Sequence, residues 1–202
     1  SGGNPLFLLE MVNGLLSGED VETMPTSIEG LLTARIDRLA TSDRALLRHV
    51  AVLGNQFDRA YVVDVLPVAV AAEPDQALLR LTEFLANTKQ GWVSFRHNLV
   101  RDVAYRGLPY RVRRELHAAV ARSIEERVDG DTDEVAALLS VHYAQARRPA
   151  EAWKYSLRAG DLAADAYANA EAVELYRRAL SAAPQLDLPA SDVVATLEKL
   201  GD

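Results

Sequence analysis

Apolar residues recur at three- and four-residue spacing along most of this chain, the pattern of amphipathic α-helices. Helices are therefore expected over residues 5–16, 27–40, 43–53, 58–66, 74–86, 98–106, 111–128, 133–146, 150–166 and 168–182. Thr26 and Glu29 have the spacing of a capping box, Ser42 is placed to cap the next helix, and Gly54 would end that helix. The pattern predicts a mainly α protein.

The helical pattern stops at residues 87–95, where a glycine is followed by the strand-forming run Trp92–Phe95. This segment predicts a small β-hairpin, the only β element expected in the chain. Several helices followed by a two-stranded hairpin is the element order of a winged-helix domain. We place that domain at residues 26–109.

The helix before the hairpin, residues 74–86, would be the DNA-reading helix of such a domain. Its apolar residues Leu78, Leu81 and Leu85 are expected to face inward. A helix that enters the major groove normally offers several basic or amide side chains. This one sets Asp75 and Glu83 against Arg80, so its chemistry argues against DNA reading.

Beyond residue 110 the expected helices are joined by very short turns, and Ala recurs where neighbouring helices would touch. In the last expected pair, Gly160 is followed by Ala172, Tyr176, Ala179 and Pro184. This spacing matches part of the tetratricopeptide (TPR) signature, in which an aromatic ring fills the gap that small residues leave between stacked helices. Residues 110–202 therefore predict the start of a TPR-like α-solenoid, truncated because such a solenoid needs about three repeats.

Composition limits the classes of protein to be considered. Of the 202 residues, 49% are hydrophobic and 25% charged, the balance of an ordinary globular protein. No run reaches the roughly 20 apolar residues that span a bilayer, so no membrane contact is expected. The absence of Cys excludes disulfides, thiol catalysis and Cys-based zinc sites, and favours a cytoplasmic location. The opening SGGNPLFLLEMV has no basic leader and no initiator Met, which predicts a fragment of a longer protein without a signal peptide.

Charge is distributed unevenly along the chain. The net charge of −7 and the pI near 5.2 disfavour a dedicated nucleic-acid binder. Residues 96–127 nevertheless carry eight Arg and four acidic residues, and the Arg are densest from Arg106 to Arg114. Two interpretations stay open. This segment is either a solvated helix start that pairs with acidic flanks, or a site where Arg111, Arg113 and Arg114 contact phosphate or an acidic partner.

The motifs of common catalytic sites are missing from the sequence. It contains no G-x-x-x-x-G-K-S/T loop, no G-x-S-x-G and no H-E-x-x-H, so we expect no enzymatic activity from this chain itself. No two of the four His lie three or four residues apart, which excludes a metal pair on one helix. Structural roles are expected for His49, His117, His142, Trp92 and Trp153.

Three stretches, taken in order, resemble one family. They are GGNPLFLLEMV at Gly2–Val12, FRHNLVRDVAYRGL at Phe95–Leu108 and YANAEAVELYRRAL at Tyr167–Leu180. Over nearly its whole length the chain resembles the segment behind the ATPase core of STAND-type signal-transduction ATPases, such as the large ATP-binding LuxR-type regulators and ATPase-coupled adenylate cyclases. The resemblance implies that residues 1–25 end a helical lid. A winged-helix domain and a helical superhelix that senses a protein or small-ligand effector would follow.

The resemblance also implies a nucleotide site shared with the ATPase core. Gly3 and Pro5 match the Gly–x–Pro motif of the lid, whose Pro lies against the adenine. His97 takes the place of the His that approaches the ADP β-phosphate, although both of its neighbours depart from the family's Met-His-Asp motif. These three residues are expected to bind ATP or ADP, with Mg, only together with the core. No cofactor is expected in the chain alone.

Other roles stay open for the same residues. Pro5 suits the first turn of a helix, and His97 suits a helix cap or packing beneath the hairpin. For the whole chain, one alternative is a winged-helix DNA-binding transcriptional regulator in which the Arg106–Arg114 cluster contacts phosphates. Another is a TPR-like adaptor that binds a protein partner through the concave face of its solenoid.

Overall fold

The computed structural model describes Val12 and residues 27–67, 73–88, 91–128, 130 and 132–201. The α-helices are α1 (Ile28–Asp37), α2 (Thr41–Val50), α3 (Pro74–Arg80), α4 (Asn98–Arg106), α5 (Tyr110–Arg127), α6 (Ala136–Gln145), α7 (Pro149–Asp165), α8 (Asn169–Ala182) and α9 (Ala190–Gly201). The strands are β1 (Gln56–Asp58), β2 (Leu85–Asn87) and β3 (Trp92–Phe95), and short 3₁₀ helices lie at Ala51–Leu53, Arg59–Val65, Asp133–Val135 and Ala183–Gln185. The mainly helical class is confirmed. The helix expected over 5–16 lies outside the described residues, except for Val12, which is helical.

The chain divides into two compact units, Ser1–Pro109 and Tyr110–Asp202. The core of the first unit is built from apolar faces that the sequence pattern predicts. Its buried side chains include Leu31, Leu32, Ile36, Leu46, Leu47 and Val50 on α1 and α2, Val93 and Phe95 on β3, and Val100 and Ala104 on α4. Helix α4 contacts β3, α1 and α2, so these apolar faces meet in one core.

The sheet of the first unit is larger than the predicted hairpin. β2 and β3 form that hairpin, but β1 also pairs with β3, so the strand order is β1-β3-β2 and every pair is antiparallel. The short helix expected from Asp58 is found as the 3₁₀ segment Arg59–Val65, which Asp58 caps by accepting a hydrogen bond from the backbone N–H of Ala60, and only the strand Gln56–Asp58 before it was missed. β1 is held in place by Phe57, whose buried ring packs edge-on against Phe95 with 6.3 Å between ring centroids.

Helix α3 is shorter than the sequence pattern predicts. It ends at Arg80 rather than Ala86, and a turn leads from it into β2. Leu78, Leu81 and Leu85 are all buried, as predicted. A helix, a turn and a strand in succession bury the same three leucines that one longer helix would bury. Apolar spacing of three or four residues therefore does not distinguish the two arrangements.

Two helix starts differ from their predicted caps. Ser27 caps α1, because its Oγ accepts a hydrogen bond from the backbone N–H of Gly30 at 3.1 Å. Thr26, the expected cap, lies outside the described residues. Ala40 occupies the N-cap position of α2 and makes no side-chain capping bond, so Ser42 falls within the first turn and the capping role predicted for it is wrong.

The second unit consists of consecutive helices, and two of its turns share one structure. Arg147 in the α6–α7 turn and Tyr167 in the α7–α8 turn both have a left-handed backbone conformation, with φ of 56° and 59°. In each turn a hydrogen bond closes back by five residues, from Arg148 N to Tyr143 O at 3.0 Å and from Ala168 N to Ala163 O at 2.8 Å. This is the bond of a Schellman C-cap, and it reverses the chain in the same way twice.

Helices α7, α8 and α9 are joined by the packing around Tyr176. A methyl group added at Gly160 would lie 2.6 Å from Cε1 of Tyr176, so the absence of a side chain lets the ring pack against α7. The predicted contact of a small residue with this aromatic ring is confirmed. The Tyr176 hydroxyl donates to Asp161 at 2.8 Å, and Lys199 of α9 donates to the same carboxylate at 2.6 Å.

Candidate functional site

His97 lies two residues beyond the end of β3 and occupies the N-cap position of α4. Its carbonyl oxygen accepts hydrogen bonds from the backbone N–H groups of Val100 at 3.0 Å and Arg101 at 3.4 Å. Its imidazole is exposed and makes no capping bond. His97 therefore caps α4 through its backbone, as one of the simpler roles expects, whereas its exposed side chain is not packed beneath the hairpin.

The cations beside His97 are held by the first unit itself. Arg96 donates through Nε to the carbonyl of Thr82 at 2.7 Å. Arg101 donates through Nε to a backbone carbonyl in the 3₁₀ segment after α2, at 2.9 Å, and pairs with Asp102 at 3.1 Å. The imidazole makes no hydrogen bond or ion pair with the residues that the structure describes. Gly3 and Pro5, the other predicted nucleotide contacts, lie outside those residues.

The charged side chains of α3 are engaged with partners in the first unit. Arg80 donates through Nε and Nη2 to the carboxylate of the buried Asp43, at 2.8 to 3.0 Å, and this hydrogen bonding raises the pKa of Arg80. Asp75 accepts a hydrogen bond from Arg59 Nε at 3.0 Å. Helix α3 thus offers little uncommitted charge to a nucleic acid.

Arginines gather around the α6–α7 turn of the second unit. A groove of about 500 Å³ lies between the start of α5 and this turn. It is lined by Arg111, Arg114, Glu115, Ala118, Ala146, Arg147 and Arg148, and is called the arginine groove below. Of the three arginines predicted to contact phosphate or a partner, Arg111 and Arg114 line the groove, whereas Arg113 is half-buried and outside its lining.

Two arginines of the groove are anchored by neutral oxygen atoms. Arg147 donates through Nε to the Tyr110 hydroxyl at 2.8 Å, and Arg114 donates through Nε to the carbonyl that precedes Arg147, at 3.4 Å. Neither acceptor carries a charge, so both guanidinium charges stay uncompensated by these bonds. Arg111 differs, because it pairs with Glu115 at 2.8 Å, which raises the pKa of Arg111.

A second cavity of about 180 Å³ shares Arg147 and Arg148 with the arginine groove and adds Arg178 from α8. Arg178 is half-buried and donates to the Ser140 hydroxyl at 2.6 Å. Burial lowers the pKa of Arg178 because the guanidinium has lost part of its hydration. No carboxylate lines this second cavity, so Glu115 is the only acidic residue lining either of the two.

Sequence reasoning found part of this cluster. It singled out Arg111 and Arg114 but missed Arg147, Arg148 and Arg178, because these lie far along the chain and meet only when the helices stack. The available signal was the pair Arg147-Arg148 at the end of a predicted helix, where the chain had to turn back toward α5.

The expected structural residues have mixed outcomes. His49 contacts a backbone carbonyl through Nδ1 at 2.7 Å, and Trp153 is buried. His117 and His142 are buried against each other, with 3.0 Å between their Nδ1 atoms, a pairing that spacing along the sequence did not predict. Trp92 is 46% exposed, so the packing role predicted for it is wrong. Alternation along β3 turns its neighbour inward and Trp92 outward.

Comparison of the chain with protein-family models, with curated proteins and with solved structures finds no match. Among the described residues, no helix is long and apolar enough to cross a membrane. Within the same residues, no three acidic or His side chains are grouped as a metal site would require. The function must therefore be argued from the geometry of His97 and of the arginine groove.

Proposed function

We propose that this chain is the regulatory and interaction segment of a STAND-type signal-transduction ATPase. In that function it couples the nucleotide state of an ATPase core to a signalling or transcriptional output, and catalysis belongs to the core. The observation that carries the proposal is the placement of His97. Its imidazole is exposed at a helix start, two residues beyond the central strand of a small sheet, where it is available to a ligand held by another domain.

The proposal includes a winged-helix domain at residues 26–109, following the end of a helical lid at residues 1–25. Its support is the order of elements in the first unit: α2, β1, a 3₁₀ helix, α3 and the β2–β3 hairpin, with β3 between the other two strands. In this arrangement the β2–β3 hairpin is the wing, and His97, just beyond it, is the residue that the family resemblance assigns to the nucleotide.

The proposal also includes a TPR-like superhelix at residues 110–202. Its support is the repeated turn structure at Arg147 and Tyr167, together with the contact of Gly160 with Tyr176. Stacked helical hairpins of this kind offer extended surfaces to a protein or small-ligand effector.

In this function His97 is the contact between the winged helix and the diphosphate of ADP bound in the core. Histidine changes charge near neutral pH, and a neighbouring phosphate favours its protonated, donating form. His97 would donate a hydrogen bond to the diphosphate and hold the winged helix against it, while Gly3 and Pro5 place the lid against the adenine. Loss of the His97 contact on nucleotide exchange would shift a two-state equilibrium toward the signalling state.

The test is His97→Ala in the full-length protein, with retention of bound ADP measured after gel filtration. We expect ADP release to accelerate about tenfold or more, since one charge-assisted hydrogen bond is lost. Gln76→Ala, an exposed polar residue of α3, is the matched control and should leave release unchanged. Unchanged ADP retention in His97→Ala, or a coding sequence without a G-x-x-x-x-G-K-S/T motif upstream, would overturn the proposal.

A DNA-binding regulator is the second candidate, because the element order of the first unit also suits one. The pairing of Arg80 with Asp43 and of Asp75 with Arg59 argues against it. A mobility-shift assay with duplex DNA at low salt separates the two candidates. Binding that weakens steeply with added salt would favour the regulator, whereas no shift would leave the nucleotide-linked function.

A further inference from the structure

We infer that the arginine groove binds a small molecule that carries phosphate groups. Four guanidinium groups and one carboxylate line it, an excess of three positive charges on a protein whose net charge is −7. The inference stands apart from the nucleotide switch, because every contact it uses lies in the second unit and it needs no ATPase core.

Three of the four arginines of the groove differ from the eight other described arginines that face a carboxylate. Elsewhere the guanidinium usually faces a carboxylate: Arg35 pairs with Glu83, Arg48 with Asp37, Arg59 with Asp75, Arg80 with Asp43, Arg101 with Asp102, Arg106 with Glu29, Arg158 with Asp133 and Arg177 with Glu174. Arg114, Arg147 and Arg148 form no ion pair with any described residue. Their charge is therefore available to a ligand.

The anchoring of Arg114 and Arg147 prepares them for an anion. In each side chain, Nε donates a hydrogen bond to a neutral oxygen, and the two terminal nitrogens make no hydrogen bond to a described residue. Such a bond restricts the side chain without neutralising it, so less conformational entropy is lost when a ligand binds. Guanidinium groups suit phosphate in particular, since two N–H groups can donate to two oxygens of one anion.

The shape of the groove favours a compact ligand over a peptide. Its volume of about 500 Å³ lies within the roughly 300–1,000 Å³ of ligand pockets. Two of its arginines lie at the start of α5 and two in the α6–α7 turn facing it, and Ala118 and Ala146 add small apolar walls. An acidic peptide would need cations spaced along its length, whereas a di- or triphosphate places several negative charges at one point.

The experiment is calorimetric titration of the intact chain with inorganic pyrophosphate at low and moderate salt. We expect saturable binding, and about tenfold weaker binding in Arg147→Gln and in Arg148→Gln, since each loses charge-assisted hydrogen bonds. Arg177→Gln removes the same charge from an exposed pair outside the groove and should bind as the unaltered chain does. Far-UV circular dichroism checks that each variant is folded.

Two further variants test the contacts themselves. Glu115→Gln removes the one carboxylate of the groove and should tighten pyrophosphate binding, an effect that a damaged fold would not produce. Tyr110→Phe removes the anchor of Arg147 without changing charge, so it should weaken binding while leaving the salt dependence unchanged. The inference is overturned by an absence of saturable binding, by equal weakening in Arg177→Gln, or by tighter binding of a hexaglutamate peptide than of pyrophosphate.

Discussion

The buried pair His117–His142 predicts that the second unit loses stability in mild acid. His117 lies on α5 and His142 on α6, each is 3% exposed, and their Nδ1 atoms are 3.0 Å apart. One nitrogen must donate and the other accept, so at least one ring is neutral. Burial lowers the pKa of His142 to about 4, because a charged imidazole would lose its hydration there.

The size of the effect follows from the difference between the folded and unfolded states. The unfolded chain takes up the proton near pH 6.5, and the folded chain only near pH 4, so the stability is present above pH 6.5 and is lost as the pH falls toward 4. Each unit of pKa difference corresponds to about 1.4 kcal/mol. Lowering the pH from 7 to 5 should therefore remove about 2 kcal/mol of the free energy of unfolding.

Urea unfolding at pH 7, 6 and 5 measures this loss. In a Trp92→Phe background the fluorescence of the buried Trp153 reports the second unit, since the chain has two Trp. His142→Gln should lower the stability at pH 7 but flatten its pH dependence, whereas Val141→Ala, at an exposed position of the same helix, should leave the pH dependence intact. If the free energy of unfolding fell as much between pH 7 and pH 5 in His142→Gln as in the unaltered chain, the reasoning would be refuted.

Two further predictions concern the helical packing of the second unit. Gly160→Ala should destabilise the second unit by about 1 kcal/mol, because overpacking against Tyr176 costs about 1–3 kcal/mol and the better helix propensity of Ala offsets about 1 kcal/mol of it. Thermal unfolding measures this change, and an unchanged or higher Tm would contradict the close contact with Tyr176. Tyr167→Gly should stabilise the α7–α8 turn by up to about 1 kcal/mol, since Tyr167 is 90% exposed with φ of 59° and Gly has no penalty there. A lower Tm in that variant would show that the exposed ring contributes more than the backbone costs.

The sequence is informative where a long segment buries one face. Apolar spacing predicts helices α5 to α8, because each of them has several buried residues. It also predicts that Leu78 and Leu81 face inward, since they belong to a segment with several buried residues. Strand β1 could not be found in this way. It has three residues and one buried side chain, Phe57, so there is no alternation to detect, and it forms because β3 offers an open edge.

Helix α9 and the candidate site illustrate a different limit. Val193, Leu197 and Leu200 have helical spacing that could have marked α9 in the sequence, although among its described side chains only Thr196 is buried. Arg147 meets the start of α5, and Arg178 meets Arg147, only through the stacking of helices, and nothing in their local sequence encodes the neighbours that they acquire. The exposure of His97 likewise depends on where the sheet ends rather than on the residues beside it.

The length of α7 has a practical consequence. Its 17 residues place the α6–α7 turn and the α7–α8 turn at opposite ends of a rod about 25 Å long. Tyr167 lies at the far end from the arginine groove, in a chain without any Cys. A single Cys introduced at position 167 could therefore carry a fluorescent dye that reports on pyrophosphate titrations while staying too distant to obstruct the guanidinium groups.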